Sequence, residues 1–142
     1  MIATLGSISH ATMRTEDLIP IFTNTLEQLD TDKTYTDLIN DARAITDFNG
    51  EDAYYILNER LFNALNTFSP PYCYFGGHPG DGSDYGFWID EYVNEVYEGL
   101  KVSDLCEVPD NYTGELMFIN DHGNMTLYNV TKGKLKEVWS IV

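Results

Sequence analysis

The chain has 142 residues and a formal net charge of −15, with 23 acidic against 8 basic residues, and 43% of it is hydrophobic. This length fits one domain, which buries roughly 70% of the surface that the unfolded chain exposes and needs no disulfide staples. The hydrophobic content argues against disorder. The charge argues against direct binding to nucleic acid or anionic lipid, since both require lysine and arginine.

The first half of the chain predicts three helices. Thr15 is a candidate N-cap, and Glu16 and Asp17 after it suit the positive end of a helix dipole, although Pro20 indicates that the regular helix begins there instead. Apolar residues then recur at helical spacing. A second helix is predicted from Asp32 or Thr34 to Asn49-Gly50, and a third from about Glu51 to Ser69-Pro70-Pro71.

The second half predicts strands. Short aromatic strands are expected at 72–75 and 85–89, joined by a glycine-rich loop from Gly76 to Asp84, and a short acidic helix is expected from Asp90 to Leu100. Three further strands, at 115–120, 125–130 and 135–142, have turn residues between them and indicate a meander. The predicted fold is therefore α+β, a single acidic domain over residues 1–142 with about three N-terminal helices packed on a C-terminal antiparallel sheet.

The acidic residues are densest just after the middle of the chain. Residues 71–110 contain nine carboxylates and one basic residue, Lys101, whereas residues 111–142 contain three of each sign. In a helix over 90–100, Glu91, Glu95 and Glu98 would share a face, and Asp37 with Asp41 would repeat the pattern on the second helix. Such rows of like charge cost some stability, so they are either tolerated for solubility or kept for a basic partner.

The glycine-rich loop is the one segment with a candidate metal or catalytic site. His78, Asp81 and Asp84 could bind a transition metal together with His122, and with Asp121 beside it, if the loop and the later hairpin meet. The alternative is a plain connection in which glycine and Asp-Gly supply turn geometry. The segment lacks the lysine of a phosphate-binding loop, and Tyr92 stands where a calcium loop starting at Asp81 needs a bidentate glutamate.

Two cysteines, Cys73 and Cys106, are too few for a disulfide framework and predict free thiols in a reducing compartment. Cys73 could act as a nucleophile together with His78, but the simpler interpretation is that Cys73 is a small buried residue in a strand. The chain begins without a basic, then apolar, signal segment and has no apolar run long enough to span a bilayer. We therefore expect a cytoplasmic protein without a cofactor.

Three segments together resemble small phage- and plasmid-borne acidic proteins of unassigned function. They are Glu16-Asp17-Leu18-Ile19-Pro20, His78-Pro79-Gly80-Asp81-Gly82 leading to Gly86-Phe87-Trp88, and Asp121-His122-Gly123-Asn124 to Trp139-Ser140-Ile141-Val142. In size and charge the chain also resembles DNA-mimicking inhibitors of restriction and CRISPR enzymes. That second likeness implies an inhibitor of a DNA-binding host defence protein.

No motif in the sequence identifies a catalytic chemistry by itself. The first hypothesis is a non-enzymatic acidic binding protein, a DNA mimic that occupies the basic surface of a nucleic-acid-binding protein. Its candidate contacts are Asp84, Asp90, Glu91, Glu95, Glu98 and Asp104. The alternative is a small metal-dependent hydrolase using the His78–Asp84 segment with His122. A third possibility is a structural or regulatory subunit that binds through its aromatic residues Tyr74, Tyr85 and Trp88.

Overall fold

The computed structural model describes residues 1–141. Contacts along the chain fall into two compact units, Met1–Glu91 and Tyr92–Val142. The sequence predicted one domain over residues 1–142, and this stays a prediction. Both units contain helices and a sheet, so the chain is a mixed α and β protein, as predicted.

The first unit begins with a strand, continues with helices and ends with a β-hairpin. Its elements are β1 (Gly6–Ser9), α1 (Thr15–Leu29), α2 (Thr36–Arg43), α3 (Glu51–Tyr55), a π-helical segment (Ile56–Leu61), α4 (Phe62–Asn66), β2 (Cys73–His78) and β3 (Asp81–Ile89). The three predicted helices are therefore present, and the third contains a π-helical turn in its middle. The strand β1 ahead of them was not predicted.

Helix α1 begins at Thr15, so the alternative start at Pro20 is wrong, and Arg14 takes the N-cap position that the sequence assigned to Thr15. The Arg14 carbonyl accepts the N–H groups of Asp17 and Leu18, at 3.0 Å each, and this closes the first turn. Pro20 removes one backbone hydrogen bond inside the helix. The flanking residues Ile19 and Phe22 are 2% and 0% exposed, and their burial keeps the segment helical despite the proline.

The glycine-rich segment is part of a β-hairpin, which corrects the predicted loop from Gly76 to Asp84. Strand β3 lies between β1 and β2 in an antiparallel sheet, and His78 is paired with Asp81 across the turn at Pro79-Gly80. Gly86 allows two strands to lie close together and does not provide flexibility to a loop. A Cβ on Gly86 would collide with the carbonyl oxygen of Gly6 on β1, so only glycine allows this pairing.

The helices share their core with this first sheet. Phe75 and Phe87 on β2 and β3 belong to the same buried cluster as the apolar faces of α1, α2 and the third helix. The predicted arrangement, three helices packed on a C-terminal meander, is therefore corrected, because the aromatic strands after the helices supply the apolar surface against which the helices pack.

The second unit contains a four-stranded sheet. Its elements are α5 (Val93–Val96), β4 (Leu100–Val102), a 3-10 turn (Leu105–Glu107), β5 (Gly114–Ile119), β6 (Met125–Thr131) and β7 (Lys134–Ile141). The order is β4-β5-β6-β7, with β4 parallel to β5 and the other pairs antiparallel. The predicted meander is confirmed as β5 to β7, except that Val142 lies outside the described residues, and β4 was not predicted.

The prediction of an acidic helix from Asp90 to Leu100 is wrong except at Val93–Val96, which forms α5. Tyr97 has extended backbone and is 5% exposed, and its hydroxyl donates to the Leu100 carbonyl at 3.2 Å. Burial of this ring ends the helix after one turn. Glu91 and Glu98 consequently lie outside α5, and the proposed row of Glu91, Glu95 and Glu98 on one helical face does not form.

Among the described residues, no helix combines the length and the apolar character needed to cross a membrane.

Candidate functional site

One group of exposed carboxylates lies on a helical hairpin. We call residues 35–67, which contain α2, α3, the π-helical segment and α4, the acidic hairpin. The Arg60 guanidinium binds the Asp41 carboxylate at 2.9 Å, and the hydroxyls of Tyr35 and Thr67 are 3.2 Å apart. The two contacts show that the two arms of the hairpin run antiparallel, with their polar sides next to each other.

Five carboxylates of the acidic hairpin are exposed and form no ion pair with any residue in 1–141. They are Asp37, Asp47, Glu51, Asp52 and Glu59. Of the acidic residues here, the sequence pattern singled out only Asp37 and Asp41. Charge counted along the chain had placed the densest acid in 71–110, whereas these five residues are distributed over both arms of the hairpin and the connection between them.

Most basic residues of the first unit form ion pairs with carboxylates. Arg14 pairs with Glu16, and Arg60 with Asp41. Arg43 binds both carboxylate oxygens of Glu27 on α1, at 2.6 and 3.0 Å, and this hydrogen bonding lowers the pKa of Glu27. With 15 acidic and 4 basic residues, this unit has a net charge of −11.

A groove lies between the two arms of the acidic hairpin. It encloses about 360 Å³ and is lined by Tyr35, Leu38, Tyr55, Glu59, Arg60, Asn63, Ala64 and Thr67. Tyr55 is 57% exposed and its neighbour Tyr54 is 66% exposed, which is unusual for large aromatic side chains. The groove therefore combines accessible aromatic rings with an unpaired carboxylate, that of Glu59.

The contacts predicted from the sequence are divided between the two units. Asp84, Asp90 and Glu91 lie in or just after β3, whereas Glu95, Glu98 and Asp104 belong to the second unit. Asp84 accepts a hydrogen bond from the Ser7 hydroxyl on β1. Asp104 accepts the Cys106 N–H at 2.9 Å and caps the 3-10 turn. Both of these carboxylates therefore have local structural contacts.

Two residues of the predicted metal site, His78 and Asp81, form hydrogen bonds within their own turn. The Nδ1 atom of His78 accepts the Gly80 N–H at 2.9 Å, and its ring lies edge-on to Trp88 with centroids 4.7 Å apart. Asp81 accepts the N–H and hydroxyl of Ser83, at 3.0 and 2.8 Å, and this lowers its pKa. Asp121 and His122 belong to the β5–β6 turn of the other unit.

Within residues 1–141, no three His, Cys, Asp or Glu side chains are grouped so that they could bind a metal ion. His78 and Asp81 sit across the turn of the β2–β3 hairpin, where the geometry is that of a strand connection. No contact among the described residues favours the metal-dependent hydrolase.

The two thiols, Cys73 and Cys106, are free, and the pKa of each is raised. Burial, with a contribution from the Asp90 charge, raises the pKa of Cys73 to about 12. The pKa of Cys106 is raised by its hydrogen bond with the Asp104 carboxylate. Because the thiolate is the reactive form, a raised pKa lowers reactivity at neutral pH.

We therefore expect iodoacetamide at pH 8 to modify Cys73 at least about a hundredfold more slowly than an ordinary thiol of pKa 8.5. Replacing Asp104 with Asn removes the nearby negative charge but retains an oxygen for the Cys106 N–H, so Cys106 should react several-fold faster. Mass spectrometry of peptides sampled over time gives both rates, with Cys73 as the internal control. Fast labelling of Cys73 in the folded protein would contradict its position in the structure.

No protein-family model, no curated protein and no solved structure matches this chain. The resemblance to phage-borne acidic proteins and to DNA mimics accordingly stays a prediction.

Proposed function

We propose that this protein is a non-enzymatic binding protein of the cytoplasm that inhibits a nucleic-acid-binding protein by occupying its basic surface, as a DNA mimic. One observation carries the proposal: the acidic hairpin presents five exposed carboxylates without basic partners among the described residues. Like charges held together on one surface cost stability, and a partner that supplies cations relieves that cost.

The charge balance also supports a basic partner. Arg14, Arg43 and Arg60 are each bound to a carboxylate, so they contribute little to cancelling the field of the acidic hairpin. A field of this sign accelerates encounter with a positively charged groove and weakens as salt increases. A DNA-binding groove has the complementary charge, since it neutralises rows of phosphates with lysine and arginine.

A pull-down with the full-length tagged protein tests the proposal. Lysate of the host is applied at low salt, and bound proteins are eluted in parallel by high salt and by duplex DNA. We expect a DNA- or RNA-binding protein that both treatments release, because salt screens the contact and DNA competes for the same groove. If no protein is released by both treatments, the proposed function is wrong.

Two triple variants of equal charge then locate the contact. The first neutralises Asp37, Glu51 and Glu59 on the acidic hairpin, and the second neutralises Glu91, Glu95 and Glu98 of the contacts predicted from the sequence, each as Asn or Gln. We expect the hairpin variant to bind the captured partner at least about tenfold more weakly and the second variant to lose less, since close charges contribute more than distant ones. Equal losses would mean that only total charge matters and would remove the assignment to the hairpin.

A further inference from the structure

The groove of the acidic hairpin has walls of different chemistry. Tyr35 and Leu38 line it from the side of α2, and Tyr55, Glu59 and Asn63 line it from the other arm. Tyr35 is fixed in place by its contact with Thr67 and by its edge-on packing against Phe68, with ring centroids 6.0 Å apart. Tyr55 is on the opposite arm and exposed. A side chain that enters the groove therefore meets two aromatic rings, the Glu59 carboxylate and the Arg60 guanidinium, which is paired with Asp41.

This combination suits a guanidinium group. Arginine stacks on aromatic faces and binds carboxylates through two parallel N–H groups, and Glu59 forms no ion pair within residues 1–141. The groove already contains one guanidinium, since Arg60 lines it and is compensated by Asp41 at 2.9 Å. The Glu59 carboxylate stays available for a second cation.

The other classes of occupant fit less well. An anion would be repelled by Glu59 and by the net charge of the unit. A purely apolar segment would bury the Glu59 carboxylate and the Asn63 amide without partners, which costs free energy. Charge complementarity therefore selects a cationic segment, and the aromatic rings favour arginine over lysine, whose ammonium group is more strongly hydrated.

We propose that the groove between the arms of the acidic hairpin is a docking site for an arginine-bearing segment of the protein partner, with the guanidinium against Tyr55 and its N–H groups donating to Glu59. This inference rests on the proposed function and specifies the partner chemistry at one place on its surface. It assigns recognition to two side chains and not to charge alone.

Fluorescence anisotropy of a labelled oligoarginine peptide, at about 0.15 M salt to screen distant charges, tests the site. We expect Glu59→Gln and Tyr55→Ala each to weaken binding at least about fivefold, and Tyr55→Phe, which retains the ring face, to bind like the wild type. The charge-matched control is Glu107→Gln in the second unit, expected to change binding less than twofold. An oligolysine of the same length should bind more weakly than oligoarginine.

Equal weakening by Glu59→Gln and Glu107→Gln would overturn the docking site, because it would show attraction by net charge only. Loss of affinity in Tyr55→Phe as large as in Tyr55→Ala would overturn the role of the ring. Circular dichroism of each variant shows that the fold is retained. If the peptide experiment fails but the pull-down still captures a partner that salt and DNA release, the docking site is wrong and the proposed function stands. If the pull-down captures no such partner, the proposed function is wrong.

Discussion

Replacing Phe22 with alanine is expected to lower the free energy of unfolding by about 3–5 kcal/mol, the range for loss of a fully buried phenylalanine. Phe22 on α1 is 0% exposed, and its ring lies edge-on to Phe62, Phe75 and Tyr85, with centroids 5.5, 5.1 and 5.5 Å away. These contacts join α1 to α4 and to both strands of the β2–β3 hairpin. Denaturant unfolding followed by circular dichroism measures the loss.

Two further variants make the result specific. Tyr54→Ala removes an aromatic ring of similar size that is 66% exposed, and it should change the free energy of unfolding by less than about 0.5 kcal/mol. Phe22→Leu retains most of the buried volume and should fall between the two. A loss in Phe22→Ala no greater than that in Tyr54→Ala would show that the aromatic cluster is not the centre of this core.

The sequence predicted the secondary structure well where periodicity was strong. The apolar spacing after Thr15 and Glu51 marks helices that the structure contains, and the turn residues near Asn120 and Lys132 mark the hairpins of the meander. Local signals of this kind act over a few residues and need no knowledge of tertiary contacts.

The errors came from residues whose role is set by distant partners. Gly86 lies in a strand that the sequence predicted, but no residue near it indicates that β1, almost eighty residues earlier, passes so close that only glycine fits. Tyr97 lies within the helix predicted from Asp90 to Leu100, but burial of its ring ends α5 at Val96. Neither the pairing of β1 with β3 nor the burial of Tyr97 is encoded in the residues next to them.

The site shows the same division. Net charge and the class of partner that it excludes follow from composition alone, and they do not depend on the fold. The acidic hairpin could not be located in this way, because its carboxylates are up to twenty-two residues apart and lie on two arms that the Arg60–Asp41 ion pair joins. The local density of acid along the chain therefore does not locate a surface that two arms build together.

Acidic residues of this protein also differ in what they do, and Asp30 is the clearest case. It is 3% exposed, and its two carboxylate oxygens accept the backbone N–H groups of Thr34 and Tyr35 at 3.0 and 2.7 Å. These bonds shape the connection from α1 to α2 and so fix where the acidic hairpin begins. A carboxylate in this position contributes to folding and not to a binding surface.

Asp30→Ala should therefore lower the free energy of unfolding by about 3 kcal/mol, since two N–H donors lose a charged acceptor at a buried site and each costs about 1–3 kcal/mol. Denaturant unfolding measures the change. Asp32→Ala is the matched control, because Asp32 lies two residues away, is exposed and carries the same charge, and its loss should cost less than about 0.5 kcal/mol. If the two variants were equally stable, the loop after α1 would not depend on the Asp30 carboxylate, and the position of the first arm of the hairpin would need another explanation.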